Sequence, residues 1–425
     1  MKEEILHYIW RYQLFVSHQF LGDKGERIQV VKPGTHNKNE GPDFLNAQIL
    51  VDGLSLHGAI EIHNKSSDWI AHKHFNNKHY DQVILHVVYD LNGEIFLADG
   101  TKPIQVEMKE HISNEIFHKA KLLLDSKNFI PCRMLRPRNT QLNFREKGFL
   151  ERLIIERYEK RAALLENKLT DLVDWPQLFC WSLFRAFGAT ANKDAFGLLG
   201  QFCNHKIVLR EAKSLKNIEA LLFGISGLLS HSAQDKYHES LQEIFHYQEK
   251  KYALSLPPKI LWNFSKMRPV NFPSIKIAQL AHLIYLLKGK LFGLIEVGQI
   301  NQWVNHKVAF AASDYWRMHT HFGRESKKIP VMAGKQLKNN LLLNAILPFH
   351  FFYHKKYGQI DFENYASWLG RMSPEKNKVT RAFEKMNIYC KNALESQAIL
   401  QLHKEYCILG GCLRCFWGHK ILCGK

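Results

Sequence analysis

Three side chains near the start of the chain have the types and spacing of a metal site. Asp43 opens one strand-like segment, and Glu61 and His63 end the next one. Asp52-Gly53, between the two segments, is typical of a tight hairpin turn. Strand alternation places Glu61 and His63 on one face, and closure of the hairpin brings Asp43 near them.

Two carboxylates on adjacent strands suit Mg²⁺ or Mn²⁺, which prefer oxygen ligands. Such an ion activates a bound water and neutralises the charge that builds on a phosphodiester. We therefore predict Asp43 and Glu61 as metal ligands and His63 as the residue that positions the attacking water. The other interpretation of all three is structural, as polar ends of a folded hairpin.

Histidines are concentrated in the same region and allow a second kind of metal site. Six of the 23 histidines lie within residues 57–86, namely His57, His63, His72, His74, His79 and His86. A zinc-type site built from imidazoles is therefore an alternative. Against it, we expect a helix over "SDWIAHKHFNNKHYDQ", on which His72 and His74 would not face the same way.

Cysteines near the end of the chain form a second candidate metal site. Cys407, Cys412, Cys415 and Cys423 have the spacing C-x4-C-x2-C-x7-C on a Gly-rich stretch. Four thiolates suit tetrahedral Zn²⁺ or an iron–sulfur cluster, and the spacing excludes neither. His419 and Cys132 are alternative ligands, and a chance grouping of cysteines is the remaining alternative. The metal would fasten the end of the chain.

The charge balance points to a polyanionic partner. The chain has 58 Lys and Arg against 40 Asp and Glu, a net charge of +18, which suggests nucleic acid first and an anionic membrane surface second. Cations interleaved with aromatic residues in 261–281 and 315–328 are candidate phosphate contacts, with helix core edged by solvated cations as the alternative. The candidate nucleic-acid contacts are Lys65, Lys266, Arg268, Lys276 and Arg317.

Several patterns argue against export and membrane insertion. The hydrophobic content of 46% and charged content of 23% are ordinary for a globular protein. The first residues are acidic where a signal peptide is basic, and no stretch has the ~18 uninterrupted apolar residues of a membrane span. We expect a cytoplasmic protein that does not contact membrane and whose eight cysteines are reduced thiols or metal ligands.

The order of elements predicts an α/β plus all-α protein. Helix, strand, hairpin, helix and strand follow one another from "EEILHYIWRYQLF" to "VILHVVYD", which is typical of a small mixed sheet flanked by helices. The expected domains are an α/β domain over 1–130, a linker over 131–145, a large helical domain over 146–402 and a Cys-rich metal-binding tail over 403–425.

The element order and the motif together resemble the PD-(D/E)XK, or restriction-endonuclease-like, nuclease superfamily. Pro42-Asp43 matches the first part of its motif, and Glu61-Ile62-His63 matches the second, with His in the usual place of Lys. The resemblance implies a metal-dependent nuclease acting on DNA or RNA; the alternative is a catalytically inactive nuclease-like protein that binds nucleic acid. Lys65 is a candidate source of the missing charge, and Glu4 on the first helix is a remote candidate ligand. Some iron–sulfur members tie a remote cysteine to a C-terminal cluster, as Cys132 would here.

The chain as a whole resembles the bacterial domain-of-unknown-function 2851 family. The segments that carry this resemblance include "HYIWRYQLF", "GPDFLNAQI", "GAIEIHNKSSDWIAHKH", "YDQVILHVVYD" and "CLRC". The resemblance implies that residues 41–90 and the terminal cysteines belong to one architecture. It implies no activity.

Overall fold

The structure, a computed structural model, describes residues 2–37, 39–135, 144–168 and 174–424. It divides into two units. The first contains Met1–Phe149, Asn377–Tyr389 and Ile399–Lys425, and the second contains Leu150–Lys376 and Cys390–Ala398. The division after residue 149 lies close to the predicted linker, of which residues 136–143 lie outside the described part of the chain. Residues 403–425 are part of the first unit and not a separate tail.

The first unit is built on the predicted mixed sheet. Its strands lie in the order β1-β2-β4-β5-β6-β7, with β3 paired to β4. Neighbours are antiparallel as far as β5, and the pairs β5/β6 and β6/β7 are parallel. The strands are β1 Phe20–Leu21, β2 Arg27–Lys32, β3 Thr35–His36, β4 Phe44–Val51, β5 Leu54–Lys65, β6 Val83–Asp90 and β7 Ile104–Glu107.

The β4–β5 hairpin turns at the predicted Asp52-Gly53 pair. Both residues have positive φ, 47° and 89°, as a tight turn that follows the strand twist requires. The register then shifts near the start of β4, where Phe44 pairs with Ile60 but Ala47 pairs with Gly58. This bulge inserts one extra residue into β4 and sets the position of the residues that precede Phe44.

Helix α1, Glu3–Tyr12, packs on β5 through an apolar face. Ile5, Leu6, Ile9 and Trp10 on that face are buried, and Trp10 donates its indole N–H to the Pro33 carbonyl at 3.0 Å. The apolar spacing that predicts the helix therefore also fixes which way its polar side chains point.

The prediction of a long helix after β5 is wrong. Only α2, Asp68–Ala71, is α-helical; Lys73 then takes a left-handed conformation with φ 63°, and single 3₁₀ turns follow at His74–Asn76 and Lys78–Tyr80. Asn77 accepts a hydrogen bond from the His79 N–H, and this local bonding competes with a continuing helix.

The helical prediction for the second half of the chain is largely confirmed, with one small hairpin added, β8 His319–His321 and β9 Arg324–Glu325. The remaining helices are α3 Asn114–Leu124, α4 Phe144–Glu166, α5 Trp175–Phe187, α6 Lys193–Phe202, α7 His205–Glu211, α8 Leu215–Ile225, α9 Lys236–Tyr252, α10 Pro273–Leu286, α11 Val297–Val304, α12 Lys335–Leu341, α13 Leu347–Lys356, α14 Phe362–Arg371, α15 Lys378–Glu384, α16 Ala393–Leu402 and α17 Phe416–Cys423. Leu342–Ile346 and His403–Cys407 are π-helical. Among the described residues, no helix has the length and apolar content needed to cross a membrane.

Gly58 provides a test of how closely β5 and β6 approach each other. A Cβ at this position would lie 2.6 Å from the Gln82 carbonyl, which accepts the Ala59 N–H. Gly58→Ala is therefore expected to destabilise the first unit by about 1–3 kcal/mol, measured by urea unfolding. Gly93→Ala is the control, because a Cβ there meets no atom within 4 Å; equal stability of the two variants would contradict the expected close approach.

Candidate metal centre

Asp43 and Glu61 meet where the bulged hairpin opens. The Asp43 N–H donates to Glu61 Oε2 at 2.9 Å, and the Ile62 N–H donates to Asp43 Oδ2 at 3.0 Å. Each carboxylate is thus held by backbone at the end of the opposite strand. The structure brings together the two residues predicted as metal ligands.

Helix α1 adds two residues that were not predicted from the sequence. His7 Nε2 lies 3.2 Å from Asp43 Oδ2 and 3.7 Å from Glu3 Oε1. Glu3 and His7 are four residues apart, so they share the helix face that looks toward Asp43. Glu4, the remote candidate ligand, acts elsewhere: its charge helps to raise the pKa of the Cys412 thiol.

Two histidines approach the other oxygen of Glu61, and a third lies against one of them. Glu61 Oε1 lies 3.5 Å from His63 Nε2 and 3.3 Å from His74 Nε2, and His63 Nε2 lies 3.1 Å from His72 Nδ1. One ring nitrogen from each of the three histidines falls within 4.8 Å of the others. The expected opposition of His72 and His74 is wrong, because the left-handed residue Lys73 between them redirects the chain.

A buried chain of hydrogen bonds fixes the tautomer of His63. The Gln105 amide donates to the Gly93 carbonyl at 3.0 Å, so its Oε1 is the atom that accepts from His86 Nδ1 at 3.1 Å. His86 Nε2 is then the acceptor for His63 Nδ1 at 2.8 Å. The lone pair of His63 consequently lies on Nε2, on the side of Glu61.

His86 and Gln105 were also missed from the sequence, although a signal existed. Glu61, His86 and Gln105 are register partners across β5, β6 and β7. A histidine within the otherwise apolar run "VILHVVYD" was the visible sign of a polar partner on the neighbouring strand.

Burial determines the protonation of the histidines. It lowers the pKa of His63 to about 2, with the neighbouring imidazoles adding to the effect, and it lowers the pKa of both His74 and His86 to about 4. Burial alone would lower the pKa of His7 too, but the neighbouring Asp43 carboxylate raises it. His63 is therefore neutral and does not carry the charge that a lysine would carry in its place.

The pKa of Glu61 shifts in the opposite direction, upward. It is 5% exposed, and burial, followed by the charge of Asp43, raises its pKa to about 9. Two carboxyl groups this close cannot both ionise cheaply without a cation.

The cysteines form a second cluster in the first unit. Cys132, Cys407, Cys412 and Cys415 line one small cavity that Trp417 helps to close. Burial raises the pKa of Cys412 to about 12, and the neighbouring Cys415 and Cys132 add to this rise. Cys407 is the last residue of the π-helical turn His403–Cys407.

Cys423 is not among the residues that line this cavity. Its Sγ lies 3.6 Å from His419 Nε2 and 3.9 Å from the Tyr8 hydroxyl. Helix α17 separates Cys415 from Cys423 by two turns, so the Cys423 thiol lies away from the cavity. Of the two open candidates for the fourth thiol, the structure places Cys132 with the other three.

One of the basic residues predicted to contact nucleic acid is wrongly predicted. Lys276 is buried within α10 and its Nζ donates to Gln279 Oε1 at 3.2 Å, so it cannot reach a phosphate. Burial lowers the pKa of Lys276 to about 8. Lys65, Lys266 and Arg268 are exposed.

Of the aromatic residues beside these cations, Trp316 belongs to the interior of the second unit and Trp262 is half-buried. Trp316 is fully buried and stacks on Phe223, and Trp262 donates its indole N–H to the Ser226 carbonyl at 2.9 Å. Arg317 is exposed and lies 2.8 Å from Asp314. Base stacking on Trp316 is therefore excluded.

A family model described as protein of unknown function (DUF2851) matches residues 3–378. The chain belongs to this family. No match was found among curated proteins or among solved structures. The region matched to DUF2851 contains α1, the β4–β5 hairpin and the three histidines, whereas Cys407, Cys412 and Cys415 lie beyond it.

Glu61 should make the stability of this DUF2851 protein depend on pH when metal is removed. Its folded-state pKa of about 9 exceeds the ordinary value of 4.5, so its contribution is present at low pH and is lost as pH rises toward 9. In chelator, Glu61→Gln is expected to be more stable than the parent by about 1–3 kcal/mol at about pH 8 and equal to it below the ordinary carboxyl pKa.

Thermal or urea unfolding across this pH range measures the difference. Glu110→Gln, at an exposed carboxylate, is the matched control and should follow the parent at every pH. A Glu61→Gln curve parallel to the parent would contradict the proposed burial of charge.

Proposed function

We propose that this protein is a metal-dependent nuclease that hydrolyses phosphodiester bonds of DNA or RNA. The observation that carries the proposal is the meeting of Asp43 and Glu61 at the mouth of the hairpin, with His63 beside them. The order of α1, the antiparallel hairpin and the parallel strand β6 agrees with a restriction-endonuclease-like core.

The residues present fit a divalent cation. Two carboxylates lie close together, Glu61 buried and Asp43 half-buried, and the buried His74 Nε2 makes no hydrogen bond within the described chain although Glu61 Oε1 is 3.3 Å away. A cation would give this nitrogen a partner. Asp43 and Glu61 would hold Mg²⁺ or Mn²⁺, which lowers the pKa of a bound water and neutralises charge on the phosphate.

His63 has a defined role in such a site. Its Nδ1 proton is committed to His86, and its Nε2 presents a lone pair toward Glu61. A neutral imidazole in this position orients a water by accepting its proton in a hydrogen bond, which a protonated lysine cannot do. Glu61 loses its own proton when a cation is bound.

Charge supports a nucleic-acid substrate. The net charge of +18 favours a polyanion, and Lys65, Lys266 and Arg268 are exposed cations that would contact phosphates. A second candidate function is a catalytically inactive nuclease-like protein that binds nucleic acid. The observation that favours this alternative is that a histidine, His63, stands where the nuclease motif has a lysine.

We further propose that Cys132, Cys407, Cys412 and Cys415 hold Zn²⁺ or an iron–sulfur cluster. Four thiols that face one cavity fit the tetrathiolate sets of both. The bound group would fasten the C-terminal turns to the 3₁₀ turn Pro131–Met134 within the first unit. A cytoplasmic location fits thiols that stay reduced.

Cleavage assays test the nuclease proposal. Labelled DNA and RNA are incubated with the full chain and Mg²⁺ or Mn²⁺, beside Asp43→Asn, which keeps an acceptor for the Ile62 N–H but removes the charge. We expect a loss of cleavage on the order of 100-fold or more in Asp43→Asn and none in Glu110→Gln. Binding without cleavage by the parent supports the inactive protein, and the absence of both overturns either function.

Paired cysteine variants test the second site. Cys415→Ser is expected to lose the bound zinc, or the visible absorption of an iron–sulfur cluster, after anaerobic purification. Cys423→Ser should retain it, because Cys423 lies against Tyr8 and His419. Elemental analysis and the absorption spectrum identify the metal, and equal loss in the two variants would contradict the role of Cys132 as fourth ligand.

A further inference from the structure

We propose that His63, His72 and His74, beside the Glu61 carboxylate, form a second cation site that takes a divalent transition-metal ion of the zinc and cobalt class. The site lies against Glu61 of the proposed carboxylate site, and while the ion is bound His63 Nε2 is its ligand and does not accept a proton from water. It goes beyond the proposed function, because it does not depend on phosphodiester cleavage.

One ring nitrogen from each of the three histidines lies within 4.8 Å of the others, and three separations in this cluster are close to those around a single ion. Ligands about 2.0–2.1 Å from a tetrahedral Zn²⁺ lie about 3.3–3.4 Å from one another. The observed separations are 3.1 Å between His63 Nε2 and His72 Nδ1, 3.5 Å between Glu61 Oε1 and His63 Nε2, and 3.3 Å between Glu61 Oε1 and His74 Nε2. A cluster held together only by hydrogen bonds would instead use each of these atoms as a donor or an acceptor.

Hydrogen bonding alone does not satisfy this cluster. His72 Nδ1 can donate to the lone pair of His63 Nε2. His74 Nε2 is buried beside Glu61 Oε1, yet it makes no hydrogen bond to any residue in the described ranges. A cation bound by the three histidines would give His74 Nε2 the partner that it lacks.

The surroundings hold the ligands in the form that binds metal. The chain from Gly93 through Gln105 and His86 keeps the proton of His63 on Nδ1 and its lone pair on Nε2. Such outer hydrogen bonds orient metal-bound imidazoles and raise their basicity. The ring of His74 stacks on Tyr80 with centroids 3.9 Å apart, which fixes its plane.

The mix of ligands decides the class of metal. Three imidazole nitrogens with one carboxylate suit zinc, cobalt, nickel and iron, whereas Mg²⁺ requires oxygen ligands and retains its waters. The exposed side chain of His72 gives an ion a path from solvent to the buried His63. Asp43 and the Oε2 side of Glu61 remain for a harder ion.

Cobalt binding tests the proposal. Metal-depleted full-length protein is titrated with Co²⁺, and the visible bands of a cobalt ion with nitrogen and oxygen ligands are recorded. We expect binding that Mg²⁺ in large excess does not displace. His72→Ala should weaken it on the order of 100-fold, and His79→Ala, at an exposed histidine of the same segment, should leave it unchanged.

A second variant, which replaces His72 by another metal ligand, distinguishes loss of metal binding from loss of folding. His72→Cys should retain cobalt and add a thiolate-to-cobalt absorption that the parent lacks at this site. Cobalt at the cysteine cluster gives thiolate absorption as well, but Cys415→Ser removes that signal and leaves the histidine bands.

Three results would overturn the proposal: cobalt bound only through thiolates, an affinity unchanged by His72→Ala, or displacement by Mg²⁺. Cobalt bound by the histidines without nucleic-acid cleavage would leave this site standing while the nuclease proposal fails. Cleavage with Mg²⁺ and no cobalt binding would do the reverse.

Discussion

The proximity of two acidic side chains, Asp43 and Glu61, is the constraint on which the rest of the site depends. Their carboxylates are held by backbone N–H groups at the open end of a bulged hairpin, in a position largely shielded from water. Like charges in such surroundings must be neutralised or separated. A proton on Glu61 and the imidazole of His7 do this in the metal-free molecule. A divalent cation would do it better, because it neutralises both carboxylates at once.

The histidine arrangement follows from the same buried position. A polar group on a central parallel strand must find its partner on the neighbouring strand. Glu61, His86 and Gln105 stand in register, and hydrogen bonds run from His63 through His86 and Gln105 to the Gly93 carbonyl. Because these bonds use the ring N–H groups of His63 and His86, the lone pair of His63 lies on Nε2. These hydrogen bonds therefore both satisfy the buried polar groups and orient the ring of His63.

The sequence predicts well what depends on local pattern. The Asp52-Gly53 turn and strand parity are enough to place Asp43, Glu61 and His63 together. Prediction fails where a single residue breaks a pattern: Lys73 carries no sign of its left-handed conformation, so His72 and His74 looked opposed. Contacts between residues far apart in the sequence are also not predicted. Nothing in the C-x7-C spacing shows that Cys132 lines the cavity in place of Cys423. Lys276 misled because a cation in a helix is usually solvated, whereas α10 is buried on nearly all sides.

His63, at the position where the nuclease motif would have a lysine, connects the two proposed cation sites. A lysine brings its own positive charge to the phosphate, whereas the buried His63 is neutral and offers a lone pair. A site that lacks this charge needs a bound cation if it is to stabilise an anion. The lone pair of His63 faces Glu61 Oε1 and His72, where a transition-metal ion would supply the charge. On this argument His63 would contribute a ligand, and the bound ion rather than the side chain would carry the positive charge.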